Sequence, residues 1–143
     1  VAQTLRDTPS FTAWLSATHV IGFTLVMSGG VVWNLRAAGA LLNGEPIESM
    51  TRSALRVLLA GLAISLITGI GLFTPRAIGT AATGAFQLKI ALLAAAAALQ
   101  LALSSMVIQR STLALQWLRI GGALGFTLWL SLALTACWFI LFE

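Results

Sequence analysis

Charge is what this chain lacks most. Only 8% of its 143 residues are charged, against roughly 25% in soluble domains, which removes it from the ordinary soluble class. It has one cysteine, so an intramolecular disulfide, a CxxC motif and a CxxCH haem-attachment motif are all excluded. Tyrosine is absent and histidine occurs once, as His19. The net charge of +4 rests on single arginines rather than on a basic patch, so a nucleic-acid partner is not expected. What fills the chain instead is apolar: 59% hydrophobic residues and a mean hydropathy of +0.97.

The missing charges leave four uninterrupted runs, Thr8 to Leu35, Val57 to Pro75, Ile90 to Gln109 and Ile120 to Phe142. Each approaches or exceeds the ~20 residues that a helix needs to cross a ~30 Å hydrocarbon core. No short segments of alternating polarity mark barrel strands. The expected fold is all-α: an integral membrane, antiparallel four-helix bundle forming one domain over 1–143, with helices at about 10–35, 53–74, 83–108 and 115–142. The first run reads as a span rather than a secretory leader, because it is too long and no basic segment precedes it. Short connections place successive helices side by side.

Orientation follows from the basic residues. Arg36, Arg52, Arg56, Arg110 and Arg119 belong to one side; Arg6 and Arg76, with Lys89 just inside the third helix, belong to the other. The excess of positive charge predicts the first side to be cytoplasmic and both termini to lie outside. Small residues recur at helical spacing as Gly61, Ser65 and Gly69, as Gly121 and Gly125, and as Gly22, Gly29 and Gly30, with an alanine run from Ala94 to Ala98. In lipid such ladders let helix backbones approach closely. Trp14, Trp33, Trp117 and Trp138 fall near helix ends, as an interfacial aromatic belt requires, whereas Trp129 falls mid-helix and suits packing.

Two residues break the apolar pattern. His19 lies ~12 Å along the first helix from Phe11, with Ser16, Gly22 and Phe23 on its face. Lys89 enters from the same side on the third helix, and Gln87, Thr68, Thr135 and Cys137 fall at comparable depth. Arg76 stands at the mouth. The opposite half of the bundle offers no matching polar cluster on this reading. Ionisable residues inside a membrane point to function; the plainer alternatives are a hydrogen bond from His19 to a neighbouring helix and a Lys89 that snorkels to the headgroups.

The segments "FTAWLSATHVIGFTLVMSGGVVWNLR" and "FQLKIALLAAAAAL" give the chain a resemblance to the superfamily of copper-resistance D domains and HemJ-type protoporphyrinogen oxidases. A group of four-helix bacterial membrane proteins of unknown function is more similar still. The resemblance covers most of residues 11 to 108. It implies the bacterial inner membrane, a haem-ligating histidine at His19 and a functionally needed lysine at Lys89. His19 then supplies one axial nitrogen to haem b, and Lys89 and Arg76 neutralise the propionates, or a deprotonated Lys89 is the sixth ligand. With one histidine, bis-histidine ligation within one chain is excluded. The expectation is a small subunit in the lipid bilayer, haem-b-binding or quinone-associated, serving electron transfer at the outer leaflet. The rival is a non-catalytic accessory or anchoring subunit of a larger complex with other membrane proteins. Neither is expected to be a stand-alone enzyme.

Overall fold

The structure is a computed structural model that describes residues 9–74, 83–109 and 115–142, without the side chains of Pro9 and residues 138–142. Four helices follow one another: α1 (Pro9–Ala38), α2 (Ile47–Phe73), α3 (Gly84–Ile108) and α4 (Leu115–Phe142). Each contains a stretch long and apolar enough to cross a membrane. Within lipid every backbone group must be bonded inside its own segment, which an unbroken helix accomplishes. Three exposed threonine hydroxyls obey the same rule by bonding back to their own helix. Thr18 donates to the Trp14 carbonyl at 2.8 Å, Thr24 to Val20 at 2.9 Å and Thr127 to Ala123 at 2.9 Å. No hydroxyl in that set needs water.

The end of α1 is set by Gly39, whose φ of +80° is open to glycine at little cost. Its amide donates to the Arg36 carbonyl at 3.1 Å, and the Ala40 amide to Leu35 at 2.9 Å, which together satisfy two orphaned carbonyls in a Schellman arrangement. The Arg36 guanidinium then ties the loop by donating to the Glu45 carbonyl at 2.7 Å. Helix α2 begins at Ile47, earlier than the expected 53. Pro46 is extended at its N-cap. Glu48 in the first turn favours the positive helix end and pairs with Arg52 at 3.6 Å, so charged residues start the helix rather than delay it. Thr83 caps α3 by accepting from the Phe86 amide at 3.4 Å.

The four helices form a bundle with α1 packed against both α2 and α4, and α3 against α4; α2 and α3 touch much less. All four supply the centre: Val26 from α1, Leu58 from α2, Ala96 from α3, and Trp129 and Leu132 from α4. A second cluster nearer the 39–46 loop joins Trp33, Ala37 and Leu103. The glycine ladders lie at these contacts. A Cβ on Gly61 would stand 2.7 Å from the Gly22 carbonyl oxygen and the Val26 amide, and one on Gly29 2.8 Å from the Ala54 carbonyl. The α1–α2 crossing is therefore backbone on backbone, the source of attraction available where lipid removes the hydrophobic drive. The alanine run behaves differently: Ala96 is buried, while Ala94, Ala95 and Ala98 are exposed.

Trp14 and Trp117 are exposed, as belt residues should be, but Trp33 corrects the expectation for it. It is wholly buried, and its indole N–H donates to Thr51 at 2.7 Å. An indole near a helix end can satisfy its donor with interfacial water or with a partner helix; here the Thr51 hydroxyl takes it. The Trp138 side chain, Pro75 and Arg76 lie outside the described residues.

Candidate functional site

The first polar centre is built on His19. Its Nδ1 lies 3.0 Å from the Thr68 hydroxyl on α2. That hydroxyl is itself 2.6 Å from the Ile64 carbonyl, to which its one proton goes. It therefore accepts from the ring, and Nδ1 carries the imidazole proton. The Ser65 carbonyl, which also faces the ring, lies 3.3 Å from the same Thr68 oxygen and can only accept. With Nδ1 protonated, a neutral imidazole leaves Nε2 as a lone pair. That is the state needed to ligate a metal or to accept a proton, and the hydrogen bond on the other nitrogen fixes the ring as metal-binding histidines are commonly fixed.

Gly69 makes room for this ring. A Cβ there would stand 3.1 Å from His19 Cε1, so the last rung of the α2 ladder serves the histidine rather than a backbone crossing. Ser65 lies one turn earlier, its Oγ buried and without a hydrogen-bond partner among the described residues.

Lys89 comes to the same neighbourhood from α3. One turn before it, the Phe86 ring stacks on Phe73 of α2, with centroids 4.9 Å apart and planes 14° from parallel. One turn after it, Leu93 packs on the central cluster. Residues three and four apart share a helix face, so the stem of Lys89 leaves α3 on the side turned to α2 and the core. It is half-buried, and its charge is near enough to act on the His19 ring. The structure thus gathers His19, Thr68 and Lys89. Thr135 and Cys137 do not join them. Thr135 gives its hydroxyl to the Ser131 and Leu132 carbonyls of its own helix, Cys137 is exposed, and Gln87 is exposed.

A second centre overturns the expectation of an opposite half without polar groups. Asn34 is wholly buried among α1, α3 and α4. Its amide donates to Gln100 Oε1 at 2.6 Å and to the Gly30 carbonyl at 2.7 Å. The same Gln100 oxygen accepts the Trp129 indole N–H at 3.3 Å, while the Gln100 amide donates to Ser104 at 3.3 Å. Gly30 admits the indole, since a Cβ there would be 2.8 Å from Trp129 Nε1. The centre lies ~22 Å along α1 from His19. A search for ionisable groups passes over it. The available signal was an amide, Gln100, inside the run "AAAAALQLAL", where an unpaired amide is as anomalous as a charge. Among the described residues no three metal-ligating side chains of the His, Cys, Asp and Glu types converge.

Comparison of the chain with protein-family models, with curated proteins and with solved structures found no match.

Proposed function

We propose that this chain is an antiparallel four-helix membrane subunit of the bacterial inner membrane that binds haem b through His19. Its place is in the superfamily that its first and third helices resemble. Both termini lie outside the cytoplasm, which puts the His19 centre in the outer leaflet. One observation carries the reading: Thr68 holds the Nδ1 proton of His19, so the ring offers Nε2 as a fixed lone pair inside an apolar span.

The donor set fits one axial position and one counter-charge. His19 provides the nitrogen, and Lys89 supplies a cation for a propionate from the same half of the bundle; Arg76 is the second cation proposed. Bound haem b supplies a one-electron iron couple whose potential follows its axial ligands and their hydrogen bonds. The chain's own part is to orient and exclude. Thr68 fixes the imidazole, Gly69 leaves space for it, and the Phe73–Phe86 stack ties the end of α2 to the start of α3. The short connection between α1 and α2 holds no catalytic unit, which favours work beside other membrane subunits. A second reading uses the same nitrogen: Nε2 accepts a hydrogen bond from a hydroquinone hydroxyl, whereas it has no proton to give a quinone carbonyl.

Reduced-minus-oxidised spectra of the purified parent and of His19→Ala test the assignment. Soret and α bands are expected in the parent and absent in the variant. A bandless parent removes haem and leaves the hydroquinone reading; bands that persist in His19→Ala give the iron another ligand. Orientation has its own test. Ser49→Cys, exposed beside the 39–46 loop, is expected to resist an impermeant thiol reagent applied from the periplasmic side. A single-cysteine background with Cys137 replaced makes the result readable, and ready labelling there reverses the topology.

A further inference from the structure

Lys89 stands on the inward face of a membrane helix, yet the carboxylates among the described residues are Glu45 and Glu48, both at the opposite end of the bundle. A lysine so placed is costly without an opposite charge. The Phe73–Phe86 stack lies one turn nearer the helix ends on the same face. The counter-charge must then come from outside the described chain. The seam between α2 and α3 joins the least packed pair of neighbours in the bundle.

We propose that this seam is a binding site for the phosphate of an anionic phospholipid, held by Lys89 beside the Phe73–Phe86 stack. The proposal goes beyond the haem reading and does not depend on it: a propionate and a lipid phosphate compete for Lys89, and where the phosphate holds it the propionate is left to Arg76. Lys89 begins ~7 Å inside the start of α3, and its stem spans the remaining distance to headgroup depth. An anionic headgroup is favoured over a zwitterionic one because the latter brings its own cation to the phosphate.

The experiment is lipid retention by native mass spectrometry. The parent, Lys89→Gln, Lys89→Arg and Arg119→Gln are purified and titrated with phosphatidylglycerol or phosphatidylcholine. Loss of the charge-assisted contact in Lys89→Gln is expected to weaken phosphatidylglycerol binding about tenfold or more. Lys89→Arg should keep it, and Arg119→Gln should leave it near the parent value. A photoactivatable phosphatidylglycerol should label α2 and α3 peptides in the parent. Equal retention by parent and Lys89→Gln overturns the proposal. So does a loss confined to Arg119→Gln, which places the lipid at the other end, or a clear gain in phosphatidylglycerol binding by Asp7→Asn with Glu143→Gln, which means that a carboxylate of the chain holds Lys89 in the parent. Inorganic phosphate that displaces the lipid at millimolar concentration makes this a free-anion site. Failure of haem to bind has no bearing on these arms, so the two readings fail separately.

Discussion

A single methyl group at Gly125 is expected to destabilise the folded bundle by about 2–4 kcal/mol. A Cβ built there collides with the Asn34 side-chain amide. That amide cannot swing aside, because it is wholly buried and bonded to both the Gly30 carbonyl and Gln100. Overpacking of this kind typically costs ~1–3 kcal/mol, and a broken interhelical hydrogen bond in lipid adds ~0.6–1.7 kcal/mol. The geometry also accounts for the Asn34 oxygen, which is buried with no conventional partner among the described residues. A Cβ replaces a Cα hydrogen, so at Gly125 that hydrogen points at the oxygen, as in the weak Cα–H···O contacts known at helix interfaces. Gly125→Ala removes the contact and the space together. Gly44→Ala is the control, with no atom within 4 Å of its Cβ. Mixed-micelle unfolding in dodecyl sulfate, followed by far-UV circular dichroism, measures both. Coincident transitions for Gly125→Ala and the parent would separate Asn34 from α4.

The elements that the sequence makes legible are those fixed by local composition. Charge-free runs mark the four helices because lipid tolerates little else, and the small-residue spacing at Gly22, Gly29 and Gly61 marks a close crossing because nothing larger fits. His19 and Lys89 could be assigned to one half of the bundle by counting residues from the helix ends. What remained hidden depends on partners far along the chain. Trp33 is chosen by Thr51 on another helix, and Asn34 by Gln100, 66 residues away. The start of α2 was hidden for a different reason. Charged residues trim a span read by hydropathy, yet Glu48 and Arg52 pair along a helix at spacing i, i+4, where they cost nothing at an interface. Thr68 was visible only as a residue of suitable depth. Its hydroxyl proton, committed to Ile64, is what decides which nitrogen of His19 is free, and no periodicity carries that information.

Gln100→Leu is the second substitution with a large expected effect, and its cost lies in the donors it abandons. The Gln100 oxygen accepts from both Asn34 and Trp129. Asn34 keeps the Gly30 carbonyl as an acceptor, but the wholly buried Trp129 indole relies on Gln100 as its acceptor among the described residues. An orphaned donor costs ~1–3 kcal/mol in water-soluble cores; in lipid the unfolded helices find substitute partners, which pulls each bond toward ~0.6 kcal/mol. Three bonds lost, the Gln100–Ser104 bond among them, and one donor stranded give about 2–3 kcal/mol for Gln100→Leu. Trp129→Phe separates the parts. It removes the stranded donor, so Gln100→Leu should cost less in that background than in the parent, with a coupling of about 0.6–1.7 kcal/mol. Costs that add within ~0.5 kcal/mol would mean that the indole and the amide do not meet. Lipid retention at Lys89 supplies the functional side of the test. Gln100 is ~16 Å further along α3 than Lys89, so Gln100→Leu should lower the unfolding midpoint and leave phosphatidylglycerol binding unchanged. A parallel loss of both would make the two polar centres one cooperative unit, with the buried amides holding open the seam that Lys89 serves.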